Sequence, residues 1–155
     1  MLIFTYVGHG SPNTLTSEQI INKNDIVNMY NKNLGLWITA TCDFSRYDDN
    51  NHSAGMEVLL NPSGGGIALY TTTRMVYSSE NFKLMQATFK HLIPRENEAH
   101  KTLGEIFRLA KVDLGNNSNK LNFTLLGDPA IKLHYPTHRI VTDKINGKDP
   151  SEALM

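Results

Sequence analysis

Residues 2–7, Leu-Ile-Phe-Thr-Tyr-Val, form the first of three short apolar runs that decide the fold. The other two are residues 34–40 and 66–72, and each run is bounded by Gly, Pro or Asn and is too short for a solitary helix. Segments with helical spacing, residues 15–21 and 53–60, separate the runs. This alternation is typical of parallel βαβ units, and the apolar runs indicate strands buried on both faces. The sequence therefore predicts an α/β fold with a mostly parallel sheet.

Two longer helices and a fourth strand are predicted in the second half of the chain. A helix over residues 81–93 is capped by Ser78 or Ser79, and a second helix covers residues 102–114. A polar loop then leads to a strand over residues 121–126. The side chains expected to face the core from the two helices are Phe82, Met85, Phe89, Leu103, Ile106, Phe107 and Ala110.

The chain is predicted to hold one subdomain, residues 1–136, followed by a linker and the start of a truncated further domain, residues 137–155. Residues 130–134 are expected to resume the fourth strand, and the sequence turns polar beyond Pro136. The first strand has no segment before it, and the last residues open a helix that stops before it can bury a face. Because domains usually place their termini on the surface, we expect neighbouring segments at both ends.

The composition argues against several classes of protein. The 155 residues include 15 basic and 15 acidic side chains, so the chain is formally neutral and lacks the basic surface that a nucleic-acid partner requires. The single cysteine, Cys42, cannot form an internal disulfide. No apolar run approaches the roughly 20 residues needed to span a bilayer, and this stretch of sequence shows no signal-type segment.

The segment Gly8-His9-Gly10 stands at the carboxyl end of the first predicted strand. Open α/β sheets bind ligands outside the carboxyl ends of their strands, so a site is expected at this edge. A histidine between two glycines has a mobile backbone and no bulky neighbour over its ring, which suits an accessible base. The alternative interpretation is a turn that happens to contain a histidine.

Cys42 ends the second predicted strand, at the same height as His9 if the two strands are parallel neighbours. Neighbouring strands lie roughly 4.8 Å apart, so an imidazole and a sulfur on adjacent strand ends can meet. A thiol beside a histidine can lose its proton and attack a carbonyl carbon. A lone cysteine is more often a buried structural thiol, but the two residues together favour catalysis.

Acyl transfer also requires donors for the developing oxyanion and a pocket for the substrate. The backbone N–H groups of Gly10 and Cys42 are the candidates for the donors, because both follow a strand end. Residues two apart in a strand share a face, so Val7 and Ala40 are expected to line the same mouth as walls of an apolar pocket.

The motifs around these residues resemble those of a known family. Residues 6–11, Tyr-Val-Gly-His-Gly-Ser, and residues 38–43, Ile-Thr-Ala-Thr-Cys-Asp, are similar to the His and Cys motifs of the gingipain-type cysteine peptidases, family C25. The interval between His9 and Cys42 is also similar to that of the family. Residues 61–74 and 125–133 extend the resemblance, which runs over about residues 2–135.

This resemblance implies a caspase/haemoglobinase-like three-layer sandwich, with helices on both faces of the sheet, and a Cys42–His9 dyad. The motifs are most similar to the sortase-like members of the type IX secretion system. Such enzymes cleave the C-terminal sorting domain from exported proteins at the outer membrane, and they can pass the acyl group to an amine of surface lipopolysaccharide. The resemblance thus implies a cell-surface location, substrates that carry the sorting domain, and contacts with other secretion-system proteins.

The resemblance also places substrate-pocket residues on the loop after the third strand. Those residues are Thr73, Arg74, Met75, Val76 and Tyr77. The aromatic residue usual in trypsin-like gingipains has no clear match there, so Arg or Lys specificity is not implied. The family's N-terminal subdomain, which supplies part of the pocket and an acidic helper residue, has no counterpart before Met1.

Calcium is a weak candidate ligand, and no other cofactor is expected. Four oxygen-bearing side chains lie close together in the sequence: Asp43, Asp48, Asp49 and Asn50. They lack the regular alternation of ligand positions found in an EF-hand loop, so a solvated acidic turn is the stronger interpretation. Two alternatives to an active enzyme stay open. In the first alternative, the chain is a non-catalytic scaffold with the family fold that makes protein–protein contacts in an export assembly. In the second, it is an inactive piece of a working enzyme.

Overall fold

The computed structural model describes residues 3–93, 99–135 and 141–153. Its elements, in chain order, are β1 (Ile3–Val7), β2 (Thr14–Leu15), β3 (Ile21–Asn22), α1 (Lys23–Val27), β4 (Gly35–Ala40), α2 (Ala54–Leu60), β5 (Gly66–Thr72), α3 (Ser78–Leu92), α4 (Leu103–Asp113), a 3₁₀ helix (Ser118–Asn122), β6 (Phe123–Leu126) and α5 (Pro150–Ala153). The main sheet has the order β1–β4–β5–β6. Strands β1, β4 and β5 are parallel, and β6 runs antiparallel to β5.

Strand β4 is buried on both faces, and its alternating side chains contribute to two separate cores. Leu36 and Ile38 pack with Tyr70 against the buried faces of α3 and α4. Trp37 lies on the other face with Leu69, under α1 and α2. Helices therefore cover both faces of the sheet, which confirms the predicted three-layer α/β fold.

The prediction of a helix over residues 15–21 is wrong, because the short antiparallel strands β2 and β3 and the turn between them occupy this segment. Thr16 and Gln19 have φ values of 67° and 55°, in the left-handed region that α-helices exclude. The Thr16 hydroxyl accepts a hydrogen bond from the Ile20 N–H group at 3.3 Å, so a side chain takes a donor that a helix would have used. The helix begins only at α1, where the Asn22 side chain caps the first turn.

Helix α3 begins at Ser78, so the serines predicted to cap it lie inside its first turn. Phe82, expected in the core, is 59% exposed. Met85 is buried as predicted and Phe89 packs half-buried against the core, while Asn81 and Leu84 take the buried positions on either side of the turn where Phe82 was expected. The error arose because the aromatic side chain was assigned to the core, whereas the structure buries the amide of Asn81 and satisfies it with hydrogen bonds.

Residues 130–134 do not resume the fourth strand. This segment instead turns toward the N-terminus of α4, where the N–H groups of a helix lack intrahelical acceptors. The carbonyl oxygen of Ile131 accepts from the Leu103 N–H group at 2.8 Å, and that of Pro129 accepts from Gly104 at 2.9 Å. The backbone groups that a strand would pair with β5 or β6 are therefore used to cap a helix.

The remaining predictions on organisation differ in outcome. The fourth strand is confirmed over Phe123–Leu126, while residues 121–122 belong to the 3₁₀ helix. The predicted domain boundary at residues 136–138 lies outside the described residues. None of the described helices has the length and apolar character needed to cross a membrane.

Tyr70 offers a test of the core. Its ring stacks on Phe107 with centroids 3.9 Å apart, and its buried hydroxyl has no hydrogen-bond partner among the described residues. Tyr70→Phe keeps the stacking and removes the unsatisfied hydroxyl, so we expect the free energy of unfolding to rise by about 1 kcal/mol. Burial raises the pKa of Tyr70 above its ordinary value. The wild type therefore loses stability as the pH rises above about 10, and the variant loses less.

Urea unfolding near neutral pH and above about pH 10 measures both effects. The matched control is Tyr30→Phe, since Tyr30 is 74% exposed and should change neither value. A less stable Tyr70→Phe variant would contradict this account of the core.

Candidate active site

The pairing of β1 with β4 brings the predicted catalytic segments together. Val7 and Ala40, the last residues of the two strands, are direct partners in the register. The Gly8 N–H group continues the ladder by donating to the carbonyl oxygen of Ala40 at 3.1 Å. His9 lies two residues beyond Val7, and Cys42 lies two residues beyond Ala40. The two strands that lead to them are roughly 4.8 Å apart. The structure thus places both residues at one edge of the sheet.

The backbone of His9 is fixed while the side chain is exposed. Its carbonyl oxygen accepts two hydrogen bonds, from the Tyr6 hydroxyl at 2.8 Å and from the Thr16 N–H group at 2.9 Å. Burial, aided by the negative charge of Glu18, raises the pKa of Tyr6, so its hydroxyl stays a donor at neutral pH. His9 also lines an open cleft of about 490 Å³ whose other walls are small and polar.

Cys42 is partly exposed rather than sealed in the core. Its thiol donates to the carbonyl oxygen of Val76, with Sγ and oxygen 3.7 Å apart. The backbone on the same side is also tied to the segment after β5, since the Asp43 N–H group donates to the Arg74 carbonyl oxygen at 3.5 Å. The nucleophile candidate is therefore held beside the loop predicted to form the substrate pocket.

Gly10 and Thr41 show that the histidine segment touches the cysteine segment. A Cβ atom added to Gly10 would lie 2.0 Å from the Thr41 hydroxyl oxygen and 3.2 Å from the carbonyl oxygen of Thr14. Only glycine allows the backbone to come so near to Thr41, the residue before Cys42. The Thr41 hydroxyl is buried without a hydrogen-bond partner in the described part of the chain, so this contact is purely steric.

The two N–H groups predicted to form the oxyanion hole are available as donors. Within residues 3–93, 99–135 and 141–153, neither the Gly10 nor the Cys42 N–H group donates a hydrogen bond. The β-bridge that pairs Gly10 with Leu15 is closed by the N–H and carbonyl groups on either side of Gly10. A free N–H group beside the nucleophile can stabilise the charge of a tetrahedral intermediate, although the oxyanion hole itself stays a prediction.

The predicted pocket walls divide between surface and core. Val7 is 43% exposed, whereas Ala40 is fully buried in the core under α3 and α4. The side chain of Ala40 therefore cannot line an open mouth, contrary to the expectation. Its methyl group faces the helices because β4 is covered on both sides, and the residue contributes to the site through its carbonyl oxygen.

The loop after β5, residues 73–77, is called the site loop below. Thr73 is buried and its hydroxyl donates to the Asn122 carbonyl oxygen at 3.3 Å, while Val76 packs against the α3–α4 core. Met75 and Tyr77 are 74% and 79% exposed. The site loop thus presents two large, mostly apolar side chains to solvent beside Cys42.

Arg74 of the site loop is neutralised by Asp48. Its guanidinium donates to both carboxylate oxygens, with Nη1 and Oδ1 3.1 Å apart. These hydrogen bonds hold the pKa of Asp48 below its ordinary value. Of the suggested calcium ligands Asp43, Asp48 and Asp49, one is thus committed to an arginine. The described residues contain no group of three His, Cys, Asp or Glu side chains that could hold a metal ion.

Two residues of this region were missed by the sequence analysis. Tyr6 was assigned to a core strand and to the histidine motif without a role of its own, yet its hydroxyl holds the His9 backbone. Asn81 was treated as a helix start, yet its buried amide reaches the Ala40 carbonyl oxygen at 3.4 Å. The sequence did offer a signal for Asn81, since the helical spacing places it on a face whose other residues are mostly apolar.

Comparison with known proteins identifies the family. The model of peptidase family C25 matches residues 1–134. The chain belongs to peptidase family C25. This confirms the resemblance to gingipain-type cysteine peptidases. No curated protein matches the sequence.

Three solved structures share the fold at low sequence identity. The complex of the pro- and mature domains of RgpB from Porphyromonas gingivalis matches with a TM-score of 0.74 and 16% identity, over 86% of this chain and 34% of that one. The Arg-specific cysteine proteinase gingipain R (RgpB) gives 0.73 and 16%, over 86% and 33%. A third protease gives 0.68 and 15%, over 86% and 35%. The C25 chain therefore spans about a third of the length of these proteins.

The contact between Gly10 and Thr41 can be tested by a double-mutant cycle. We expect Gly10→Ala to lower the free energy of unfolding by about 1–3 kcal/mol, because the new methyl group overlaps the Thr41 hydroxyl. The same change in a Thr41→Ala background should cost clearly less, since the overlapping oxygen is gone. Urea unfolding of the four proteins measures the coupling, and strictly additive costs would show that the two segments do not touch.

Proposed function

We propose that this C25 chain carries both members of a catalytic dyad, with Cys42 as nucleophile and His9 as general base. The register of Val7 with Ala40 is the observation that carries the proposal, since it delivers both residues to one edge of the sheet. The partial exposure of the thiol also supports it, because a buried structural cysteine could not meet a substrate.

The dyad would act by acyl transfer. The thiol proton moves to the His9 imidazole as the sulfur attacks the scissile carbonyl carbon, and the Gly10 and Cys42 N–H groups receive the oxyanion. Collapse of the tetrahedral intermediate breaks the C–N bond, and the imidazolium returns the proton to the leaving amine. Water or a second amine then attacks the Cys42 thioester and releases the thiol.

The finer proposal is a sortase-like role similar to that of PorU in the type IX secretion system. It is supported by the motifs at residues 6–11 and 38–43. The substrates would be exported proteins that carry the C-terminal sorting domain, cleaved at the cell surface, with lipopolysaccharide as one acyl acceptor and other secretion-system proteins as partners. Calcium is not needed for any step of this proposal.

The site loop supports a substrate preference other than basic residues. A pocket for Arg or Lys needs a free carboxylate, and Asp48, the carboxylate bonded to the site loop, is already paired with Arg74. The exposed side chains of Met75 and Tyr77 instead offer apolar contacts. The pocket residues Thr73 and Val76 contribute through the backbone of the loop.

The alternative is a C25-fold scaffold that makes protein contacts without catalysis. The hydrogen bond from the Cys42 thiol to the Val76 carbonyl oxygen favours it, since in the described structure the thiol is engaged with the backbone of the site loop. The two proposals differ in whether His9 alters the reactivity of Cys42.

Alkylation by iodoacetamide at about pH 6.5 distinguishes them. We expect Cys42 to react at least about 10-fold faster than free cysteine, because His9 accepts the thiol proton, and His9→Ala to remove the difference. The control is His134→Ala, because His134 is exposed and lies outside the two catalytic segments. Mass spectrometry of the modified chain gives the rates. If the wild type reacts no faster than free cysteine and His9→Ala changes nothing, the dyad is excluded and the scaffold remains.

A cleavage assay tests the finer proposal. We expect a fusion protein ending in a type IX sorting domain to be cut before that domain by the full chain, and Cys42→Ala to lower the rate at least about 10³-fold. Adding a primary amine should yield an amide product by mass spectrometry. Equal cutting of a fusion that lacks the sorting domain would contradict the sortase-like role but not the dyad.

A further inference from the structure

We infer that a buried amide pair, Asn81 on α3 and Asn119 on the 3₁₀ helix, positions both catalytic segments of the site. The inference rests on the proposed function. Neither residue lies in a catalytic motif, and both are positioning residues rather than catalytic ones. They are 3% and 7% exposed, far below what is usual for asparagine.

The two amides form one directed chain of hydrogen bonds. The Tyr77 N–H group donates to Asn119 Oδ1 at 2.9 Å, which leaves the Nδ2 group of Asn119 to donate to Asn81 Oδ1 at 3.1 Å. The Nδ2 group of Asn81 then donates to the carbonyl oxygen of Ala40 at 3.4 Å. The site loop is thereby connected to the end of β4 through two side chains.

The acceptor at the end of this chain is shared by both catalytic segments. The Ala40 carbonyl oxygen also accepts the Gly8 N–H group, the residue directly before His9. Ala40 itself stands two residues before Cys42. The amide of Asn81 therefore contacts the single backbone atom at which the histidine and cysteine segments are joined.

At its other end, this series of hydrogen bonds fixes the position of the Cys42 thiol. Both backbone groups of Tyr77 are bonded, since Asn119 accepts its N–H group and the Glu80 and Asn81 N–H groups both donate to its carbonyl oxygen at 3.1 Å. Tyr77 directly follows Val76, whose carbonyl oxygen accepts the Cys42 thiol. The contacts close a ring from Ala40 through the amide pair and the site loop back to Cys42.

Both positions require a side-chain amide. Each amide must accept one hydrogen bond through Oδ1 and donate one through Nδ2, which an aspartate cannot do and an apolar residue cannot do at all. A buried polar pair usually adds little to stability compared with apolar packing of the same volume. We therefore assign the pair to the geometry of the site, where a displacement of about 1 Å costs up to 100-fold in rate.

Asparagine-to-aspartate changes test this role with little change in shape. Asn119→Asp keeps the acceptor for Tyr77 and removes the donor to Asn81, and Asn81→Asp removes the donor to Ala40. The matched control is Asn116→Asp, an exposed residue just before the 3₁₀ helix. We expect the iodoacetamide rate of Cys42 to fall about 10- to 100-fold in the first two variants and to stay unchanged in the control.

The pH dependence of alkylation separates positioning from general stability. In folded Asn119→Asp and Asn81→Asp the profile should move toward that of His9→Ala, and Asn119→Gln, which keeps an amide, should recover part of the rate. If both aspartate variants remain folded by circular dichroism and keep the wild-type rate and profile, the positioning role is overturned while the dyad stands. If the wild type and His9→Ala react alike, the proposed function itself fails.

Hydrogen exchange in the wild type covers the case in which the aspartate variants do not fold. The Tyr77 amide has Asn119 Oδ1 as its acceptor, so we expect exchange at least about 10-fold slower than in an unstructured peptide. Exchange at the unstructured rate overturns the inference. Slow exchange that becomes fast in Asn119→Ala supports it.

Discussion

The parallel pairing of β1 with β4 is the constraint on which the site depends. Because side chains alternate along a strand, a shift of one residue would move His9 relative to Cys42 and exchange the buried and exposed faces of β1. The register is held by the ring contact of Phe4 with Trp37, whose centroids are 4.2 Å apart, and at the far end by the Gly8 to Ala40 hydrogen bond. The proximity of the two proposed catalytic segments is therefore a direct consequence of how two strands pair.

The interior beneath this edge is more polar than a typical sheet core. The Thr39 hydroxyl donates to the Thr71 hydroxyl at 2.8 Å, and Ser45 lies 2.9 Å from the same oxygen, all three being buried. This small network links β4, β5 and the segment after Cys42. Connected buried hydroxyl groups of this kind have few alternative arrangements, so they favour a rigid interior beneath the segment that carries Cys42. On the α3 side, the amides of Asn81 and Asn119 are likewise buried polar groups joined by a hydrogen bond.

The site loop is fixed by its backbone and free in its side chains. Its carbonyl and N–H groups bond to the segment after β4 on one side and to the 3₁₀ helix on the other, including the Asn122 amide that donates to the Met75 carbonyl oxygen at 2.9 Å. Met75 and Tyr77 can therefore change without loosening the loop. Substitutions at these two positions would alter the contacts of the proposed pocket and leave the backbone beside Cys42 in place.

Apolar runs were enough to predict the three parallel strands, and the family resemblance of the motifs around His9 and Cys42 implied the three-layer fold. Burial on both faces, which forces a continuous apolar pattern, holds for β4 and β5, whereas β1 at the end of the sheet has no fully buried residue. The same reasoning failed at residues 15–21, where local hydrogen bonds of Thr16 overrode a helical spacing, and at Phe82, where size was mistaken for burial. Tertiary structure alone decided that Ala40 contributes a carbonyl oxygen and not a wall, and that Asn81 and Asn119, 38 residues apart, share a hydrogen bond. Contacts of this kind depend on how elements distant in sequence are oriented toward each other, and a periodic pattern carries no information about that.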